Sequence, residues 1–165
     1  MTADEIIDLL QLKPHPKEDG FFVETYRSAE SFSWESLPAR YNGARNHSTG
    51  IYFLLKAGGF SEMHRLRSDE IFHFYSGAPA DLLLLFPDGD GSLLRIGADL
   101  QAGERPQVVV PRGCWQGLRT TGEFTLLGTT VAPGFDYSDY ESGKRDELTS
   151  QYPKFAMLIQ QFTRR

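Results

Sequence analysis

Apolar residues in this chain come in short runs, and a glycine or proline breaks almost every one. In GFFVETYRS, Phe22, Glu24 and Tyr26 alternate with Phe21, Val23 and Thr25. A period of two built from aromatic and β-branched residues predicts a strand. The same texture runs from Ser48 to Ala132. STGIYFLLK, FSEMHRL and EIFHFY read as strands, separated by Gly58-Gly59 and by the turn Arg67-Ser68-Asp69. ADLLLLF follows the turn Gly77-Ala78-Pro79, and Pro87-Asp88-Gly89-Asp90-Gly91 is a strong hairpin signal before SLLRIGAD. PQVVVP, CWQGLRT and EFTLLGTTVA complete the series, and Ala132-Pro133-Gly134 ends it. Strands this short and this closely spaced predict a closed barrel or a sandwich.

Helices are expected only at the two ends. Thr2 and Glu5 have capping-box spacing, and Ile6, Ile7, Leu9 and Leu10 follow on a short amphipathic helix that Pro14 and Pro16 end. Asp146 to Arg165 reads as one or two helices, with Pro153 near a helix start. Glu30 to His47 has no clear period and holds Pro38, Asn42 and Gly43, so it reads as a loop. No repeat or linker interrupts the chain. One domain over residues 1–165 is expected, with a barrel core at about 20–135.

Composition narrows the function classes. Twelve Phe, seven Tyr and two Trp suggest that aromatics fill much of the core. A net charge of −5 offers no basic footprint for nucleic acid. The charges are well mixed, without the basic amphipathic helix of a membrane-surface protein. Cys114 is the only cysteine, which excludes an internal disulfide and a cysteine cluster for zinc or iron–sulfur. The start, MTADEIIDLLQL, carries acids where a signal peptide carries positive charge. The longest apolar run, Leu82 to Phe86, is too short to span a bilayer. The expectation is a soluble cytoplasmic protein.

The densest chemistry lies in MHRLRSDEIFHFYSG, residues 63–77. In a strand, residues i and i+2 share a face. Glu62, His64 and Leu66 then point one way, and Met63 and Arg65 the other. Beyond the turn, Glu70, Phe72 and Phe74 share a face, while Ile71, His73 and Tyr75 take the opposite one. Strand parity therefore separates His73 from His64 and Glu70, unless a bulge shifts the register. Pro111-Arg112-Gly113 makes a second tight turn, and Gln116 joins His64 and Glu70 if the two strands are neighbours.

These residues carry a resemblance. Gly58, His64, Leu66, Glu70 and Gly77 have the spacing of the first cupin motif, and Pro111, Gly113 and Gln116 that of the second. Two ligand positions depart from the cupin pattern. Leu66 stands where a second histidine is expected, and Gln116 where a third is. Thr120 replaces the asparagine that usually closes the second motif. Five blocks in order, HP with GFFVETYRS, STGIYFLL, HRLRSDEIFHFYSG, VVVPRGCWQ and VAPGFDYSDYE, resemble a subfamily of small single-barrel cupins known as a domain of unknown function. The resemblance implies a mainly β chain folded as a double-stranded β-helix (jelly-roll barrel), often dimeric. It implies no settled reaction, since one fold hosts many.

The resulting expectation is a small-molecule-binding cupin of undetermined reaction, with its pocket in the barrel mouth. His64, Glu70 and Gln116 form the polar cluster, and Phe72, Phe74, Tyr52 and Trp115 line it. His64 and Glu70 are the candidate acid/base pair, because a carboxylate beside an imidazole orients the ring and raises its pKa. A second reading is a metal-independent sugar or carbonyl isomerase or epimerase, with His64 as base and Tyr26, Tyr52 or Tyr75 as donor. A third is a weakly metal-dependent enzyme in which His64, Glu70 and Gln116 hold a divalent ion. A fourth is a storage or scaffold protein with its barrel packed shut. His15 and His47 have no partner within short sequence reach. Cys114 reads as a small buried residue. Arg65, Arg67 and Arg119 are either solvated face residues or an anion-binding group. An edge at Thr25 to Arg27 invites pairing with a second copy, so a homodimer is expected.

Overall fold

The computed structural model describes residues 1–164. Arg165, the last position of the expected helical segment, lies outside them. Helix α1 (Ala3–Leu10) starts on the predicted capping box: the Thr2 hydroxyl accepts from the Glu5 N–H, and the Glu5 carboxylate accepts from the Thr2 N–H. Its apolar stripe packs Ile6 on Leu54, and Leu12, just past the helix, joins them.

Among the described residues, thirteen strands follow in chain order: β1 (Lys13–Pro14), β2 (Phe21–Arg27), β3 (Ser31–Phe32), β4 (Arg45–Asn46), β5 (Thr49–Lys56), β6 (Phe60–Arg65), β7 (Asp69–Gly77), β8 (Ala80–Leu85), β9 (Gly91–Ile96), β10 (Gln107–Val110), β11 (Trp115–Thr120), β12 (Phe124–Ala132) and β13 (Glu141–Ser142). Helices α2 (Arg145–Gln151) and α3 (Ala156–Ile159) close the chain, joined through a 3-10 turn that begins at Pro153. One sheet runs β1-β2-β5-β12-β7-β10 and the other β13-β6-β11-β8-β9, all antiparallel. The fold is mainly β, a jelly roll of two facing sheets. Among the described strands, the two sheets do not hydrogen-bond into a closed ring.

Three apolar cores hold these layers. The inner one lies between the sheets and includes Phe53, Phe72 and Leu127 from one and Leu82, Leu84 and Leu118 from the other. The second lies outside β6, β8 and β11, where Met63, Leu83, Leu85 and Trp115 pack on Leu148, Tyr152, Ile159 and Phe162. The third sits under α1. The run ADLLLL is explained by this layering. Leu82 and Leu84 face inward and Leu83 and Leu85 face the C-terminal helices, so both faces of β8 are covered and no alternation is required.

The expected loop at residues 30–47 contains the short pair β3 and β4. The β region also continues past Pro133. β13 pairs with the outer edge of β6 in the register Glu141↔Arg65 and Ser142↔His64. Two residues carry too little periodicity to be read from sequence.

Candidate functional site

A cavity of about 410 Å³ opens at one end of the jelly roll. Its apolar wall comes from Phe22, Ile51, Phe53, Leu66, Phe72 and Val131, and its polar groups include His64, Glu70, Glu18 and His15. β6 and β7, joined by the turn after Leu66, bring His64 and Glu70 to it. β11 lies beside β6 with Gln116 opposite His64, and the Gln116 amide donates to Glu70 Oε2 at 2.7 Å. The three residues expected as the polar cluster therefore come together, with Gln116 behind Glu70 rather than on the cavity surface.

A bulge decides which residues of β6 accompany His64. Gln116 pairs with His64 and Leu118 with Ser61, so three steps on β6 oppose two on β11. The extra residue puts Ser61 on the cavity side with His64. Simple alternation expects Glu62 there. Instead its carboxylate lies outside the cavity lining and meets Arg164 at 2.6 Å.

Two expected lining residues face elsewhere. Trp115 belongs to the core under the C-terminal helices, where the Arg65 guanidinium stacks on it at 4.4 Å. It neighbours Gln116, and adjacent strand residues point to opposite faces. Tyr52 alternates with Ile51 and Phe53 and packs on the α1 side, edge-on to Tyr75 at 5.7 Å. Phe74 packs against the inner core without lining the cavity. Phe72 lines it. His73 faces away, as parity requires, and lies 3.1 Å from Thr130 Oγ1.

Residues outside the cupin motifs complete the site. His15 and Glu18 enter from the loop before β2, and Tyr137 and Tyr140 from the segment before β13. His15 has partners here: its ring meets Phe22 edge-on at 4.9 Å. The Ser61 hydroxyl donates to Glu18. Tyr140 lies flat on His64, with ring centres 4.7 Å apart and planes 12° from parallel. The HP and DYSDYE blocks carry these residues, but nothing in their local pattern says that they converge. None of the tyrosines expected as donors lines the cavity: Tyr26 is exposed, and Tyr52 and Tyr75 pair on the outer face.

Hydrogen bonds fix both histidine tautomers. His64 Nδ1 lies 2.7 Å from the Glu62 carbonyl. A carbonyl only accepts, so Nδ1 carries the proton and, in the neutral ring, Nε2 is left with a free lone pair. His15 is the reverse: its Nδ1 accepts the backbone N–H groups of Lys17 and Glu18 at 3.3 and 3.1 Å. The 3.9 Å approach of that nitrogen to Glu18 is therefore not an ion pair. Burial pushes the His15 pKa down, which agrees with a neutral ring. Burial pushes the Glu70 carboxyl well up, against the opposing pull of His64 and the hydrogen bonds from Gln116 and Thr129. Burial and the Glu18 charge raise Tyr140, so its hydroxyl stays protonated.

The donor set does not fit a resident divalent ion. Such a site takes three or four N, O or S ligands. Leu66 offers none, and Gln116 presents its N–H to Glu70, which occupies one carboxylate oxygen with a proton donor. Among the described residues, no three His, Cys, Asp or Glu side chains are grouped to hold a metal. The arrangement instead presents a hydrogen-bond acceptor at His64 Nε2 and a carboxyl group at Glu70 to whatever enters an aromatic-walled cavity.

The chain is similar to proteins from distant organisms. An uncharacterized protein of Saccharomyces cerevisiae is 32% identical over 158 residues, covering 89% of this chain and 78% of that one. A Shewanella oneidensis protein of solved structure has a TM-score of 0.87 at 35% identity and covers 99% of this chain and 98% of its own. A hypothetical protein from Leishmania major has a TM-score of 0.89 at 30% identity over the whole of both chains. Oxalate decarboxylase from Lactobacillus farciminis matches at a TM-score of 0.55 and 14% identity, with 43% of its chain covered, which is a likeness of fold alone. The family model described as cupin superfamily (DUF985) matches residues 4–143. By that match and by the jelly roll that carries it, this chain belongs to the DUF985 family of the cupin superfamily.

Proposed function

We propose that the jelly-roll cavity binds a small organic molecule, which hydrogen-bonds to His64 and Glu70 and rests its apolar surface on the aromatic wall. The observation that carries this reading is the burial of both polar groups at the side of a ligand-sized void. His64 is 6% exposed and Glu70 8%, beside a cavity of about 410 Å³. A core built only for stability would fill such a void with side chains, because interiors pack to crystal density. Ligand sites are concave, mostly apolar and supplied with a few convergent polar groups.

The test is a melting-temperature screen with aldoses, ketoses, nucleosides and small aromatic acids, run on the protein and on Leu66→Trp, which fills the cavity. A saturable rise in the parent that disappears in Leu66→Trp supports the reading. A rise of equal size in both proteins contradicts it, and so does no rise with any compound together with no molecule released on denaturing the purified protein.

One observation favours a second reading, a metal-independent isomerase or epimerase. The bond from His64 Nδ1 to the Glu62 carbonyl leaves Nε2 as the basic nitrogen, which suits removal of a proton next to a carbonyl. The acid partner would be Tyr137 or Tyr140, both on the cavity wall. Exchange of substrate C–H for deuterium from solvent, abolished in His64→Ala, is the result this reading expects. Binding without exchange restricts the site to recognition.

A further inference from the structure

A second cavity adjoins the first. It is an open cleft of about 600 Å³ that shares Leu66 and Tyr140 with the jelly-roll cavity. Arg40, Arg65, Arg67 and Arg112 line it. Four guanidinium groups around one cleft are unexpected in a chain whose net charge is −5.

The carboxylates of the cleft do not neutralise all four. Glu141 is held by Arg65, which donates Nε and Nη2 to its two oxygens at 2.7 and 2.9 Å. Asp139 is held by the buried Arg45, with both oxygens at 2.7 Å, and Arg67 comes only within 3.9 Å of it. Each acid is thus already in a two-point pair. Arg40, Arg67 and Arg112 remain as surplus positive charge.

Two of these three are held in place by neutral groups. Arg40 Nε donates to the Arg67 carbonyl at 2.9 Å, and Arg67 Nη1 donates to the Arg40 carbonyl at 2.8 Å. This reciprocal brace fixes two like charges side by side and leaves further N–H donors on both groups, since each guanidinium carries five. The third comes from the tight turn before β11, where the Arg112 N–H donates to Asp69 at 2.8 Å. Its guanidinium has no hydrogen-bond or ion-pair partner among the described residues. Like charges braced together repel, and an oxyanion between them turns that cost into attraction. Guanidinium forks match phosphate oxygens two at a time.

We propose that this cleft is an anion site that takes a phosphoryl group, held by Arg40, Arg67 and Arg112. The proposal does not depend on what the jelly-roll cavity binds.

Calorimetric titration with inorganic phosphate, glycerol phosphate and acetate tests it, on the parent, on the double variant Arg67→Ala/Arg112→Ala and on Arg119→Ala. Arg119 pairs with Asp81 away from the cleft. Both cleft substitutions remove solvent-facing side chains, and an unchanged melting temperature shows that the variant is folded. Saturable binding of one phosphate per chain is expected, weakened at least tenfold in the double variant and unchanged in Arg119→Ala, because charged hydrogen bonds are lost. Acetate is expected to bind several-fold more weakly. Glycerol phosphate binding at least as tightly as phosphate assigns the site to esters, and weaker binding assigns it to the free ion. No saturable phosphate binding up to tens of millimolar, equal affinity in the double variant, or acetate as tight as phosphate would overturn the proposal.

Discussion

The Gln116 side-chain amide donates to Glu70 Oε2 at 2.7 Å in the interior of the jelly roll, and Gln116 Oε1 has no partner among the described residues. Two positions with the spacing of cupin ligands are thereby joined to each other. Removing the amide leaves a buried carboxyl group short of a donor, and such a loss costs about 1–3 kcal/mol. Gln116→Leu is therefore expected to lower stability by that amount, measured by urea unfolding at neutral pH.

Glu70 adds a pH dependence of known sign. Burial raises its folded-state pKa above that of an ordinary glutamate carboxyl. Between the unfolded and folded values the native state binds more protons, so the stability it contributes is full below about 4.5 and is lost as pH rises through the folded value. Glu70→Gln keeps the shape and abolishes the titration. The stability of the parent relative to Glu70→Gln is expected to be higher at acid pH than at slightly alkaline pH, by urea unfolding at both. A difference that is flat or runs the other way contradicts the assignment.

The two histidine tautomers make a prediction that needs no ligand. In proton–nitrogen correlation spectra of the neutral rings, His64 is expected to carry its proton on Nδ1 and His15 on Nε2. The first follows from the Glu62 carbonyl and the second from two backbone N–H groups. The same tautomer in both rings would contradict the geometry that leaves His64 Nε2 free.

The C-terminal segment is a structural layer of the fold. Phe162 is fully buried and packs with Met63, Leu83 and Leu85. Phe162→Ala is expected to cost about 3–5 kcal/mol, as for other large buried aromatics, read from denaturant midpoints at constant slope. The backbone at Gly117 is equally closed: a Cβ there would lie 2.6 Å from Met63 Sδ and 2.9 Å from Phe162 Cβ. Gly117→Ala is therefore expected to destabilise as well, although alanine otherwise loses less conformational entropy than glycine inside a strand.

Much of this was legible in the sequence. Gly and Pro punctuation located the strands, because turns need their special backbone freedom, and parity separated His73 from His64 correctly. Parity also carried the information that Trp115 and Gln116 cannot share a face, and that Tyr52 lies opposite Phe53. The bulge in β6 was not legible. It depends on how β6 meets β11, a pairing between residues more than fifty positions apart, and it exchanges Ser61 for Glu62 beside His64. His15, Glu18 and Tyr140 were hidden for a similar reason. They come from opposite ends of the chain and meet only once both sheets are formed.

The central claim is that the cavity beside His64 and Glu70 is a small-molecule site without a resident metal. A crystal structure of the protein purified without chelator, with anomalous data collected, tests it most directly. The account predicts density for an organic molecule, or for ordered water in its place, within hydrogen-bond distance of His64 Nε2 and Glu70, and no anomalous peak between them. A metal ion coordinated by His64 and Glu70, or a cavity filled by the side chains of Phe22 and Phe72, would contradict it.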